Sequence, residues 1–429
     1  MPAPSPHPHT RRRAWVEVDT GAIGRNLARV RDHVGPGVKI IPMVKCGGYG
    51  LGVEHVVAAL APGRPFGYGV ASIDEGLELR DLGVREPVMV CCPVPPADLP
   101  RAIAAHLIPT ISDLDALSAL TRLAAETPPP APPLPFQIEI DTGMGRAGFP
   151  LADSATISAR TTSSTSAATP SGSPPTAPPP GPAQTPAAAP TATPSALPPT
   201  PPPPHWWPHI RRATTRNLHL FGIFTHLHSA DEPDLTSARR QIARFDDFIR
   251  TAGGIDPGTL LHCANSAGTL RLSSQTANAV RPGIYLYGGS AGPGTEPPET
   301  AVHVRARVAL VRDVPGGATV GYGATHRSKG PERWAAVGIG YGDGLPRTLG
   351  GRGWGLAGGR RVPVLGRISM DTTVVGVSGD TSPGDVVTFL GRDGETELTL
   401  EEVAELADTI GHEILTGLSR RLPRIRMES

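Results

Sequence analysis

Eight short apolar runs, separated by amphipathic stretches, recur through the first three hundred residues, and no other feature narrows the fold as far. They occupy residues 40–45, 66–71, 87–92, 107–111, 136–141, 219–226, 260–264 and 279–284. Each has the length of a strand buried on both faces. Leucines and alanines at helical spacing fill intervals such as 54–60, 72–82 and 113–120. Strands alternating with helices of this length build a parallel sheet. The pattern predicts an α/β fold in which residues 14–298 close into a TIM-type (β/α)8 barrel.

After about residue 298 the texture changes. β-branched runs at 302–311, 337–339, 362–364, 372–377 and 386–390 are broken by Gly and Pro, which predicts a mostly β C-terminal domain over 299–425. One helix interrupts it, opened by a capping box of Thr399 and Glu402 ahead of Val403, Leu406 and Ile410. Two segments stand outside this plan. Residues 1–13 are rich in Pro, His and Arg and read as a disordered tail. Residues 151–208 are Ser, Thr, Ala and Pro without apolar periodicity, and read as a disordered insertion in the barrel. A shorter run of the same kind spans 127–135. A polyproline II ligand is the alternative for the long insertion, but no basic flank marks a docking motif, so it is assigned no activity.

The 40 basic and 39 acidic residues leave a net charge of +1. That gives no electrostatic footprint for nucleic acid or an anionic membrane and favours a small-molecule partner. Cys46, Cys91, Cys92 and Cys263 have neither the spacing of a zinc site nor the density of a disulfide framework, so no metal is expected and a reducing cytoplasm suits them. No run is apolar for long enough to span a bilayer, and the N-terminal residues lack the apolar region of a signal peptide.

In a barrel enzyme the reactive groups sit where strands end, because only that rim gathers side chains from all eight strands around one pocket. The ends read Val44-Lys45-Cys46-Gly47-Gly48-Tyr49-Gly50, Asp141-Thr142-Gly143-Met144-Gly145-Arg146, Thr225-His226, His262-Cys263-Ala264-Asn265-Ser266 and Arg281-Pro282-Gly283-Ile284-Tyr285. Lys45 closes an apolar strand and is followed by glycines, which leaves its amine facing a cavity as a nucleophile. Alone, a lysine at a strand end is commonplace; the case depends on its company.

That company resembles the alanine racemase family. Residues 44–50, 141–148, 262–270, 322–325, 339–344 and 366–371 are similar to the family's successive signatures, in the family's order. With residues 15–26 they cover nearly the whole chain apart from the insertion and the tail. The resemblance implies pyridoxal 5'-phosphate (PLP) as cofactor, with Lys45 as its Schiff-base lysine and the base on one face of the substrate carbon. Tyr322 matches the opposite base, which in the family comes from the partner subunit, so a homodimer with a shared site is implied. Inverting a stereocentre does need two such groups, since one face loses a proton and the other receives one. Arg281 matches the arginine at the pyridine nitrogen, and His226 the histidine that orients it. A guanidinium keeps its proton at neutral pH, so the ring nitrogen stays unprotonated and the electron sink is weak, which favours racemisation over transamination. Ser266 and the backbone at Gly283 and Ile284 match the phosphate grip. Tyr49 matches a cofactor-side position, and Arg146, Tyr341, Met370 and Asp371 match substrate-side positions. The implied activity is interconversion of L- and D-alanine. The alternatives are a racemase of another small amino acid such as serine, a barrel-type PLP decarboxylase, and a PLP-binding homologue with little activity.

Three positions depart from the family pattern. Cys46-Gly47-Gly48 adds backbone freedom beside Lys45, with Cys46 expected to point away from it and pack by strand alternation. His412 stands where the family usually has a tyrosine contacting the cofactor phosphate, which would make cofactor binding pH dependent if His412 reaches it. Glu139 stands where some members carry a carbamylated lysine, and is expected to pair with Arg146.

Overall fold

The computed structural model of the 429-residue chain describes residues 12–126, 132–151, 203–214, 217–274 and 276–428. Eight parallel strands follow one another around a ring in chain order: Lys39–Ile40, Tyr68–Val70, Val88–Pro93, Ile108–Ile111, Leu134–Asp141, Leu218–Phe224, Leu260–His262 and Ala279–Val280. The ring closes where the last strand pairs with the first and where Met43 bridges Gly69. Each predicted apolar run overlaps one of these strands. Most runs extend past the ladder at their C-terminal ends, and several of those extra residues form the rim.

Helices lie between the strands with caps that the sequence supplies. Asp19 accepts the amide of Ala22 to open Thr20–Val34. Ser72 and Glu75 form a reciprocal capping box on Ile73–Asp81, which satisfies amides a helix start would otherwise leave bare. The strand Ile108–Ile111 is buried at every residue, as expected of a sheet covered on both sides.

The second domain is mostly β, as expected. Its long strand Val302–Val314 pairs antiparallel with Glu332–Val337 and Val386–Asp393. The opening strand Ala14–Asp19 also belongs to this sheet, where it pairs with Val302–Val314 and, in parallel, with Arg424–Met427. The division at residue 14 is therefore corrected, since residues 14–19 lie in the second domain's sheet and not the barrel's. The two pairings join residues nearly three hundred and about four hundred positions apart, which no local pattern reports.

Two further expectations are revised. Of the insertion at 151–208, residues 152–202 lie outside the described residues, as do residues 1–11 of the tail and 127–131 of the shorter run. Residues 203–208 are described, and two of them are packed against the barrel. Trp206 and Trp207 are buried, and Trp206 stacks on Phe149 with ring centres 4.7 Å apart. Their indole N–H groups donate to the carbonyls of Pro150 and Ala252 at 2.8 Å, so both bury large apolar surfaces with the polar edge satisfied. The predicted helix after Thr399 forms as Leu400–Ala407, with the Thr399 hydroxyl accepting the Glu402 amide at 3.2 Å. It stops at Asp408, whose φ of 59° is left-handed, and a separate helix Gly411–Thr416 follows. Ile410 thus lies between helices and is exposed. Among the described residues no helix is long and apolar enough to cross a membrane.

Candidate active site

The rim encloses a cavity of about 250 Å³ whose lining includes Lys45, Tyr49, Arg146, His226, Ser266, Arg281, Gly283, Ile284 and His412. All five rim segments identified from the sequence, together with His412 from the helix Gly411–Thr416, therefore meet at one place. Among the described residues, Lys45, Arg146 and Arg281 face it against a single lining carboxylate, Asp231. Such a charge balance selects an anionic ligand.

Lys45 is presented by an unusual turn. Residues 46 to 49 all adopt left-handed backbone angles, with φ of 54°, 60°, 66° and 55°. Strand alternation therefore does not apply to Cys46, which is exposed and not packed as expected. The left-handed conformation costs roughly 1–2 kcal/mol for each non-glycine residue, here Cys46 and Tyr49. Glu75 helps to hold it, one carboxylate oxygen accepting the Cys46 amide at 2.6 Å and the other the Ala71 amide at 2.7 Å. At Gly48 a β-carbon would come within 2.7 Å of Val56, so glycine is required there by space as well as by φ.

Arg281 forms the buried floor. Its guanidinium donates to the Nδ1 of His262 at 2.7 Å, to the carbonyls of His262 and Thr225 at 2.9 and 2.8 Å, and faces the Nδ1 of His226 at 3.3 Å. It also lies 5.1 Å from the Phe224 ring, on which His262 stacks. Both histidines are held neutral. Burial, then Arg281, Arg146 and Lys45, push His226 down to about 3, while burial and Arg281 hold His262 well below the usual histidine range. The hydrogen bond from Arg281 to His262 was not anticipated from the sequence, although His262 ends a barrel strand beside Ser266, which is the signal that would have found it.

Elsewhere in the lining the Ser266 hydroxyl accepts the amides of Gly283 at 2.8 Å and Tyr285 at 3.3 Å. Gly283 lies so near Tyr49 that a β-carbon would meet its hydroxyl at 2.2 Å. The Tyr49 ring packs at 4.7 Å from Tyr287 and 5.9 Å from His412. Burial, then Lys45, lowers the His412 pKa, with Asp231 opposing, so its titration lies on the acid side of an ordinary histidine. Glu139 is 2 % exposed and lies 4.0 Å from Arg146, the outer limit of an ion pair. Burial raises its pKa against the pull of Arg146 and Arg281.

Tyr322, Tyr341, Met370 and Asp371 are not brought to this cavity. They lie on the second domain's surface, with Tyr322 67 %, Met370 52 % and Tyr341 41 % exposed. For large side chains this exposure is uncommon, and it presents them outward from their own chain.

The chain matches the family model described as alanine racemase, N-terminal domain, over residues 18–171 and 203–291, and that described as alanine racemase, C-terminal domain, over 301–426. It is 34 % identical to the alanine racemase of Limosilactobacillus fermentum across 96 % of this chain and 97 % of that protein. Among solved structures, alanine racemase from Streptomyces coelicolor superimposes with a TM-score of 0.79 at 28 % identity, covering 99 % of this chain and all of the other. Alanine racemase from Bartonella henselae with covalently bound pyridoxal phosphate gives 0.76 at 25 % identity, with 97 % and 100 % covered.

Proposed function

Since the chain belongs to the alanine racemase family, a family of PLP-dependent isomerases, we propose that it interconverts L- and D-alanine at the barrel rim. The observation that carries this reading is the convergence of Lys45, Arg281 and Ser266 on one cavity while Tyr322 stands 67 % exposed on the second domain. One base is internal; the other is turned toward a second subunit.

The donor set suits PLP. A buried guanidinium suits the ring nitrogen, and the Ser266 hydroxyl, His412 and the backbone at Gly283 and Ile284 suit the phosphate. Tyr49 packs beside them. When bound, the cofactor supplies the electron sink that makes an α-proton removable. Lys45 would hold it covalently and exchange a proton through Nζ on one face of the substrate carbon. Tyr322 of the partner subunit would exchange a proton through its hydroxyl on the other. Neutral His226 accepts from Arg281 and fixes its plane, and Arg281 donates a hydrogen bond without yielding the proton itself. Arg146, steadied by Glu139, would meet the substrate carboxylate together with the Met370 amide, with Tyr341 and Asp371 beside them. In this reading the protein works as a homodimer with two shared sites. The chain's four cysteines are free thiols, which suits a reducing cytoplasm.

Purified protein supplied with PLP and a panel of L-amino acids in deuterated water tests the reading. D-alanine carrying α-deuterium is the expected product. Carbon dioxide release, or bound PLP without any inversion, would refute it, and a higher kcat/KM for serine would reassign the substrate.

A further inference from the structure

The loops that carry Tyr341 and Met370 are joined main chain to main chain. The Tyr341 amide donates to the Ser369 carbonyl at 3.0 Å and the Gly342 amide to the Met370 carbonyl at 2.9 Å. Behind them lies Asp343, a carboxylate with no exposed surface. One of its oxygens accepts the Gly340 amide at 3.0 Å. The other accepts Nη2 of Arg13 at 2.6 Å and lies 3.4 Å from Nε of Arg421. Arg421 also reaches the Asp371 carboxylate, and Arg13 reaches the carbonyls of Gly338 and Asp371 at 2.9 and 3.3 Å.

This cluster lies outside the cavity, and no step described above uses Asp343, Arg13 or Arg421. A buried carboxylate is expensive to desolvate, and for stability alone a well-packed apolar residue often serves as well. What the charged cluster adds is direction. Two planar guanidinium groups, one from each end of the chain, converge on one carboxylate and fix both loops at once.

We propose that Asp343, with Arg13 and Arg421, is a positioning residue that sets Tyr341, Met370 and Asp371 for the active site of a second copy of this chain. The inference rests on the shared-site reading above. Asp343 acts through these loops, so its influence falls on the partner's site and not on the cavity of its own barrel.

Mixed dimers test it. Asp343→Asn as a homodimer should bind PLP with unchanged affinity and spectrum, yet show KM for alanine raised roughly tenfold or more, because displacing a substrate-positioning group by a fraction of an ångström weakens every contact it makes. A dimer of one Lys45→Ala and one Asp343→Asn chain contains one site in which all these residues are native. It should regain about half the wild-type kcat per dimer with native KM, as expected when one of two independent sites is intact. A Lys45→Ala and Tyr322→Phe dimer is the control for sharing. If that control stays inactive, the shared-site reading falls and this inference with it. If the control recovers but the Asp343→Asn dimer keeps a raised KM, the positioning role in the partner's site is overturned. Should Asp343→Asn not yield folded protein, the exposed Arg421→Gln replaces it in the same dimers, and the same restoration or persistence of KM decides.

Discussion

Arg281 donates from Nη1 to the Nδ1 of His262 over 2.7 Å, with both side chains buried at the floor of the cavity. An acceptor at Nδ1 puts the His262 proton on Nε2, which has no hydrogen-bond partner among the described residues. His262→Phe preserves an aromatic ring against Phe224 and removes the acceptor. Leaving the guanidinium donor unmatched should cost about 1–3 kcal/mol, read as an earlier midpoint in urea, and PLP should dissociate more readily. Superimposable unfolding curves would show that the bond carries no weight.

Acid sensitivity follows from the two neutral histidines. His226 sits at about 3 in the folded chain, while unfolding returns it to the ordinary value near 6.5. Between those values the unfolded chain binds a proton that the native site refuses. Stability is therefore complete above about pH 6.5 and declines as pH falls, by about 1.4 kcal/mol per pH unit for each such histidine. Thermal melts of the cofactor-free protein from about pH 7.5 to 5 should show this slope, and His226→Asn should flatten it. An unchanged slope in the variant would assign the acid sensitivity elsewhere.

The turn after Lys45 separates two neighbouring glycines. Among the described residues a β-carbon at Gly47 meets nothing within 4 Å, whereas at Gly48 it meets Val56 at 2.7 Å. Gly47→Ala should cost only the left-handed backbone penalty, roughly 1–2 kcal/mol. Gly48→Ala adds a clash that moves the turn and Lys45 with it. Activity and denaturation midpoints should therefore fall much further for Gly48→Ala, and equal effects would mean that the packing against Val56 is not limiting.

Glu139 offers a split between stability and function. Because burial raises its pKa, its ionised form is disfavoured by folding; that cost is absent at low pH and grows as pH rises past the ordinary glutamate range. Glu139→Gln removes the cost at neutral pH, so the variant should be at least as stable as the wild type. Arg146 loses its nearby carboxylate, so KM for alanine should rise several-fold. A variant with native KM would remove Glu139 from the account.

The barrel was legible because its strands fall on short, mostly apolar runs, and the rim because Lys45, Asp141, His226, Ser266 and Arg281 lie at or just past the strands' C-terminal ends. What escaped is non-local or conformational. The strand Ala14–Asp19 looks like any opening strand, and only its pairing with Val302–Val314 and Arg424–Met427 shows which sheet it joins. Trp206 and Trp207 were hidden by the prolines around them, although two adjacent tryptophans demand burial. The left-handed turn at residues 46 to 49 has glycine at two positions but also Cys46 and Tyr49, which local propensity would not place there. Asp343 reads as one more loop acid until the two arginines from the chain's ends are seen to meet it.

The central claim is that Lys45 is the residue that holds PLP, and the sequence makes the test unusually clean because the chain has only three lysines, Lys39, Lys45 and Lys329. Lys39 lies over the Phe66 ring, and Lys329 is in the second domain, away from the cavity lining. Borohydride reduction of the PLP-loaded protein, followed by peptide mass spectrometry, fixes the pyridoxyl group on the lysine that carries it. The expected result is a single pyridoxyl adduct on the peptide containing Lys45, with loss of activity. An adduct at Lys39 or Lys329, or none with activity retained, would contradict the account.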